Sequence, residues 1–169
     1  MLDILITSKT RVKLLVKFFV QETNKGYLRG LAEEFKESTN SVRVELNRLS
    51  DAGILVSQQE GKMKSYSANR QHPLFDELKS LVAKYLGLDK LVEVVIKKLG
   101  TVKKAVVVGD YAKGIDSGVI ELVLVGKDIN EEYLSFLILK AEEKMDRQVK
   151  VTVVEEAPFD LEGVILLEI

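Results

Sequence analysis

The sequence predicts an α+β protein, and three features predict it. Between residues 8 and 53 apolar residues recur at three- and four-residue spacing, the period of helices with one buried side. Residues 54–68 read as a strand, a Glu60-Gly61 turn and a second strand. From residue 105 onward, short runs that are nearly all apolar flank one long helical stretch. That is the pattern of a sheet covered on at least one face by helices. The two halves therefore differ in kind: helices with a hairpin first, a mixed sheet with helices second.

Segment 8–22, "SKTRVKLLVKFFVQE", opens with Ser8 as a helix cap and sets Val12, Leu15, Val16 and Phe19 on one face. "TNKG" at 23–26 ends it as a turn. Leu31, Ala32 and Phe35 then share the inner face of a short helix, and Glu37 to Asn40 form a turn. Val42, Leu46 and Leu49 define the inner face of a second helix, closed by Gly53. Two short helices joined by a tight turn make a helix-turn-helix. The hairpin after it, "ILVSQQEGKMKSYSA", carries Lys62 and Lys64 at or just after its tip, in the manner of a wing.

Residues 5–70 resemble the ArsR-like winged-helix transcription regulators. The resemblance rests on Leu31-Ala32-Glu33-Glu34, on Ser41-Val42, on Leu46 with Asn47-Arg48-Leu49, and on Ala52-Gly53-Ile54-Leu55. It implies binding to double-stranded DNA. The spacing of residues agrees: with Val42, Leu46 and Leu49 inward, Arg43, Val44 and Asn47 face outward. Arg43 and Asn47, four apart, would reach base edges together. Thr39, Asn40 and Ser41 place helix N-terminal N–H groups where a phosphate would sit. Arg48, Lys62 and Lys64 suit phosphate contacts. Glu45, expected near the groove, counts against. Members of this family that sense metals do so with cysteines, and this chain has none.

The connector, "HPLFDELKSLVAKYLGLDKLVEVVIKKLG", starts with Pro73 in a first helical turn. Leu74, Leu78, Leu81, Val82 and Tyr85 form one apolar stripe. After Gly87, residues 89–99 present Leu91, Val92, Val95, Ile96 and Leu99. Helices this apolar pack under another domain or form a dimer seam. ArsR-like regulators are typically dimers built partly from the first helix, so a homodimer using that helix and the 74–99 stripes is expected.

The back half reads as strand (105–108), loop, strand (120–125), helix (131–145) and strand (149–154), with a short strand in the tail. Over residues 88–158 it resembles the minimal nucleotidyltransferase fold. In that fold the first strand ends in Gly-Ser and the second carries two carboxylates two residues apart, on one face. A third carboxylate stands on a neighbouring strand, and together they hold divalent metals. Here Gly109 matches the glycine, but Asp110 replaces the serine. Glu121 matches one carboxylate; Val119 stands in the other position, and valine offers no oxygen to Mg²⁺. Thr152 stands where the third is expected. The expectation is a shape without catalysis, metal or cofactor. A ligand pocket formed by Gly109, Asp110, Gly114, Asp116, Ser117 and Glu121 would take a cationic or neutral polar small molecule, because Asp110 repels phosphate.

Composition sets the outer limits. Of 169 residues, 46% are apolar, enough for a packed core, and 30% are charged. The apolar segment 14–20 is too short to span a bilayer, and no cleavage signal follows it. A soluble, cytoplasmic protein without a membrane partner is expected. Absence of cysteine removes disulfides and thiolate metal sites. The single histidine, His72, precedes Pro73 and reads as a helix-boundary residue. Residues 1–70 carry 12 Lys and Arg against 8 Asp and Glu; residues 71–169 carry 13 against 18. A polyanion would thus meet the front half. The domain reading is 1–70 for the winged helix-turn-helix, 71–100 for a helical dimerisation connector and 101–169 for the nucleotidyltransferase-like domain. The expected function is a DNA-binding transcription regulator whose second domain senses a ligand or organises assembly. Two alternatives remain: an active nucleotidyltransferase acting on protein or RNA through a rearranged Asp110, Asp116 and Glu121 cluster, and a non-catalytic adaptor that binds protein.

Overall fold

The computed structural model describes residues 5–145 and 147–169. The chain divides into two compact units, one ending at Val82 and one running from Ala83 to Ile169. Each has its own sheet, so the architecture is α+β. The boundary falls inside a helix, so the 71–100 segment contributes to both units.

The first unit is built on helix α1 (Lys9–Phe19). Ser8 caps it, its hydroxyl accepting from the Arg11 N–H at 3.2 Å. Val12, Leu15, Val16 and Phe19 are buried as their spacing requires, and Leu14 and Phe18 are buried as well. Lys9 is exposed and Thr10, Arg11 and Lys13 are half-buried, so the first turns of α1 keep a polar side at the surface while the rest is enclosed.

Strand β1 (Lys25–Tyr27) follows, where a turn was expected at 25–26. Three residues are too few to show a strand period. The strand exists because β3 offers it a partner, pairing Gly26 with Tyr66. Helix α2 (Leu28–Phe35) buries Leu31, Ala32 and Phe35. It ends with Lys36 in the left-handed region, φ 55°, while the N–H of Glu37 reaches back to the Ala32 carbonyl at 3.0 Å. Helix α3 (Thr39–Asp51) therefore begins after a shorter turn than expected, with Ser38 as its cap. Val42, Leu46 and Leu49 are buried. Gly53, φ 71°, closes α3 in a Schellman motif, with Gly53 N–H to Ser50 and Ile54 N–H to Leu49. Strands β2 (Leu55–Glu60) and β3 (Met63–Ala68) form an antiparallel hairpin around Gly61 and Lys62. The sheet order is β1-β3-β2.

Helix α4 (Phe75–Leu86) begins two residues after Pro73, which lies in the preceding turn. His72 is a boundary residue, its Nδ1 accepting from the Leu74 N–H at 3.1 Å. The inward residues are Phe75, Val82 and Leu86, while Leu74 is 52% exposed. Of the stripe expected from Leu74, Val82 is buried, while Leu78, Leu81 and Tyr85 are half-buried along the side that Leu74 begins.

In the second unit, Gly87 separates α4 from α5 (Leu88–Leu91), which runs into a π-helical stretch, Val92–Ile96, and then α6 (Lys97–Leu99). The wider π turn places three consecutive residues, Val94, Val95 and Ile96, in the core. Strands β4 (Val102–Val108), β5 (Val119–Gly126), β6 (Gln148–Val154) and β7 (Val164–Glu168) form a sheet in the order β6-β5-β4-β7. β4 runs antiparallel to β5 and β7, and β5 parallel to β6, so the sheet is mixed. Helix α7 (Gly109–Ala112) is a single turn after β4. Helix α8 (Glu131–Met145) returns the chain from β5 to β6 and buries Leu134, Leu137, Ala141 and Met145. Along β5, Ile120, Leu122 and Leu124 are fully buried while Glu121 is exposed, the period-two pattern of a strand with one covered face.

Candidate functional site

The residues singled out by the sequence fall in two regions, one in each unit. On α3, Thr39, Asn40, Ser41, Arg43, Val44, Asn47 and Arg48 are all exposed. Arg43 and Asn47 lie one turn apart on the same face. The N–H of Ser41 is already taken by the Ser38 hydroxyl at 3.1 Å, so an incoming oxyanion would meet the N–H groups of the first turn ahead of it.

Glu45 is not on this face. Its side chain is 7% exposed and accepts from Arg11 Nε at 2.8 Å and Arg48 Nη1 at 3.0 Å. Burial raises the Glu45 carboxyl, but hydrogen bonds from Arg11 and Ser8 and the Arg11 and Arg48 charges more than offset this. The group stays below the usual carboxylate range. The objection raised by an acid near the groove is thereby removed: Glu45 is neutralised inside the fold. Arg48 is held by Glu45 yet 61% exposed, so it presents its other N–H groups outward from a fixed position. In the hairpin, Lys62 and Lys64 are exposed. The Lys64 ammonium stands 5.4 Å from the Tyr66 ring, a cation–π contact that holds it beside its strand. Sequence reasoning missed Arg11, the residue that turns Glu45 inward; nothing local marks a pairing across 34 positions.

At the β4–β5 end of the second unit, the six residues expected to form a pocket enter different interactions. Gly109 opens α7 with φ 67°, and the Glu121 carboxylate packs directly over it. A Cβ there would lie 1.9 Å from Oε2. The room expected beside Gly109 is thus filled by Glu121. Asp110 is exposed and Gly114 is buried in the turn. Asp116 is gripped in a bidentate fork by Arg147, Nη2 to Oδ2 at 2.7 Å and Nε to Oδ1 at 3.1 Å. The Tyr111 hydroxyl also donates to Asp116 and accepts from Arg147 Nε at 2.9 Å. Ser117 alone of the six lines a shallow groove of about 510 Å³, together with Gly118, Val119, Glu142, Arg147 and Gln148.

On the neighbouring strand, Lys150 stands level with Glu121, and Thr152 is level with Val123. Thr152, at the position expected of the third carboxylate, thus lies two residues beyond the level of Glu121, and a cation, Lys150, stands beside that acid. Among the described residues no group of three or more His, Asp or Glu side chains is arranged to hold a metal ion.

Arg147, which sequence reasoning did not single out, fixes the 109–118 loop to the start of β6. Burial raises the Asp116 carboxyl, but hydrogen bonds from Arg147 and Tyr111 and the Arg147 charge bring it below the ordinary range. Because the folded value is depressed, the pairing contributes stability above the ordinary carboxylate pKa. The contribution is lost as pH falls through the folded value. Arg147→Met should cost about 1–2 kcal/mol at neutral pH, less than a fully buried pair because Asp116 keeps contact with water. The difference from wild type should shrink on acidification. Urea unfolding at pH 7 and at about pH 3 checks this; an equal difference at both would remove the charge pairing from the account.

No protein-family model matches the chain, and no curated protein does. Among solved structures the chain is similar to reduced HlyU from Vibrio cholerae N16961. The TM-score is 0.40 and the identity 16%, covering 48% of this chain and 78% of that one. Among the described residues no helix is long and apolar enough to cross a membrane.

Proposed function

We propose that the chain is a DNA-binding transcription regulator. In this reading the first unit is a winged helix-turn-helix, with α2 and α3 as its two helices and the β2–β3 hairpin as its wing. The second unit is a non-catalytic, nucleotidyltransferase-like domain used for ligand sensing or assembly. The observation that carries the reading is the outward face of α3. Arg43 and Asn47 are exposed one turn apart, while the one acid of the helix's middle, Glu45, is buried and neutralised by Arg11 and Arg48. A face of donors without an exposed carboxylate among them suits a major groove lined by acceptors and flanked by phosphate.

The test is selection of duplex DNA by the full chain, followed by titration at several salt concentrations. Specific binding should weaken steeply with salt. Lys62→Ala should weaken binding to all sequences alike and reduce the salt slope by about one. Failure to select any duplex, with binding unaffected by Lys62→Ala, would overturn the reading.

Absence of catalysis in the second unit is proposed on the placement of Glu121 against Gly109 and beside Lys150, and on the pairing of Asp116 with Arg147. The chain should transfer no label from any nucleoside triphosphate to itself or to RNA, with Mg²⁺ or Mn²⁺. Transfer by the wild type that is lost in Glu121→Ala would reverse this half of the proposal.

A further inference from the structure

The outer side of α8 carries large apolar side chains among its charges, where a solvated helix is ordinarily polar. Leu134, Leu137, Ala141 and Met145 are buried, yet Tyr133, Phe136 and Leu139 are 42%, 49% and 62% exposed. The Tyr133 and Phe136 rings stack with centroids 6.3 Å apart, and the Lys140 ammonium lies 4.5 Å from the Phe136 centroid. At 3.6 residues per turn, positions 132, 133, 139 and 140 all fall within about 60° of Phe136 around the helix. Their chemistry is complementary about that point. Glu132 stands four residues before Phe136 and Lys140 four after; Tyr133 stands three before and Leu139 three after.

We infer that this face is the seam of a two-fold homodimer, with α8 of one copy laid antiparallel on α8 of another and Phe136 at the axis. A two-fold interface must be complementary to itself. In the antiparallel arrangement Glu132 of each copy comes level with Lys140 of the other, and Tyr133 with Leu139. A parallel arrangement would set glutamate beside glutamate and lysine beside lysine, and is disfavoured by repulsion. One helix pair covers less than the roughly 1,600 Å² of a standard stable interface. The dimer is therefore a weak one, populated at raised concentration. The inference rests on α8 alone and stands independently of DNA binding.

Sedimentation equilibrium over a wide concentration range tests it with four variants, circular dichroism serving as the check on folding. Glu132→Lys and Lys140→Glu should each raise the dimer Kd by about tenfold or more, since every dimer holds two such pairs. The double reversal Glu132→Lys with Lys140→Glu should return it to near the wild-type value, because the opposite charges face each other again. The chain contains no cysteine, so Phe136→Cys places a single thiol on the axis. Mild oxidation should then yield a disulfide-linked dimer. A wild-type chain that stays monomeric at hundreds of micromolar, a double reversal that fails to restore association, or a Phe136→Cys chain that does not cross-link would each overturn the inference.

Discussion

Leu46→Ala should destabilise the first unit by about 2–5 kcal/mol, the largest effect expected of any single truncation in the outward helix. Leu46 is fully buried on α3, between Val42 and Leu49, which are buried too. Removing its three distal carbons forfeits their transfer free energy and leaves a cavity. The site collapses poorly, because α1 buries Val12 and every residue from Leu14 to Phe19 and has little freedom to move in. Two residues away, Val44 is 39% exposed on the opposite face. Val44→Ala should change stability by no more than about 0.5 kcal/mol. The pair is decisive because the two residues lie on one helix and differ mainly in direction. Hydrogen exchange at the amides of α1 and α3 is the measurement. Similar losses for both variants would mean that α3 is rotated from the orientation described, and with it Arg43 and Asn47.

That orientation was legible in the sequence, because it rests on a period. Val42, Leu46 and Leu49 can share a buried face in only one way. The same holds for α8, whose span 131–145 follows from its apolar spacing. Its start is marked by Asn130, which accepts from the Tyr133 N–H at 2.8 Å. The strands of the mixed sheet were legible as apolar runs, the tail strand included. What the sequence hid depends on partners distant along the chain. β1 is three residues that become a strand only because β3 pairs with them. The π-helical stretch at Val92–Ile96 leaves no mark in a pattern that reads equally well as an ordinary helix. Lys36 closes α2 in a conformation that usually calls for glycine. Glu45 and Asp116 were both read as acids facing outward or into a site. Their fates were settled by Arg11 and Arg147, each more than 30 positions away. A carboxylate in an amphipathic stretch reads as solvated until its cation is placed, so the candidate sites were less legible than the elements that carry them.

The pairing of Glu45 with Arg11 and Arg48 sharpens what should follow from removing Arg43. Arg43→Ala should reduce affinity for the selected operator by about 1–3 kcal/mol, or roughly five- to 150-fold, if its guanidinium reads a base edge. Binding to unrelated duplexes should fall much less, so the specificity ratio should collapse toward that of non-specific binding. Arg43 and Arg48 both stand on α3, yet they differ in attachment. Arg43 is exposed with no ion-pair partner among the described residues, whereas Arg48 is tied to a buried carboxylate. A tethered guanidinium is placed for a phosphate, whose position is common to all sequences, and a free one can enter a bidentate pairing with guanine. Arg48→Ala should therefore lower affinity for operator and unrelated DNA by similar factors and flatten the salt dependence. Titrations of both variants against the operator, a one-base mismatch at each position, and an unrelated duplex make the comparison. Arg43→Ala should erase discrimination at one or two adjacent positions only. If the loss is uniform for Arg43→Ala and position-specific for Arg48→Ala, the assignment of reader and anchor on α3 is reversed. If neither variant shifts binding to a duplex that the wild type selects, α3 is not the element that enters the groove.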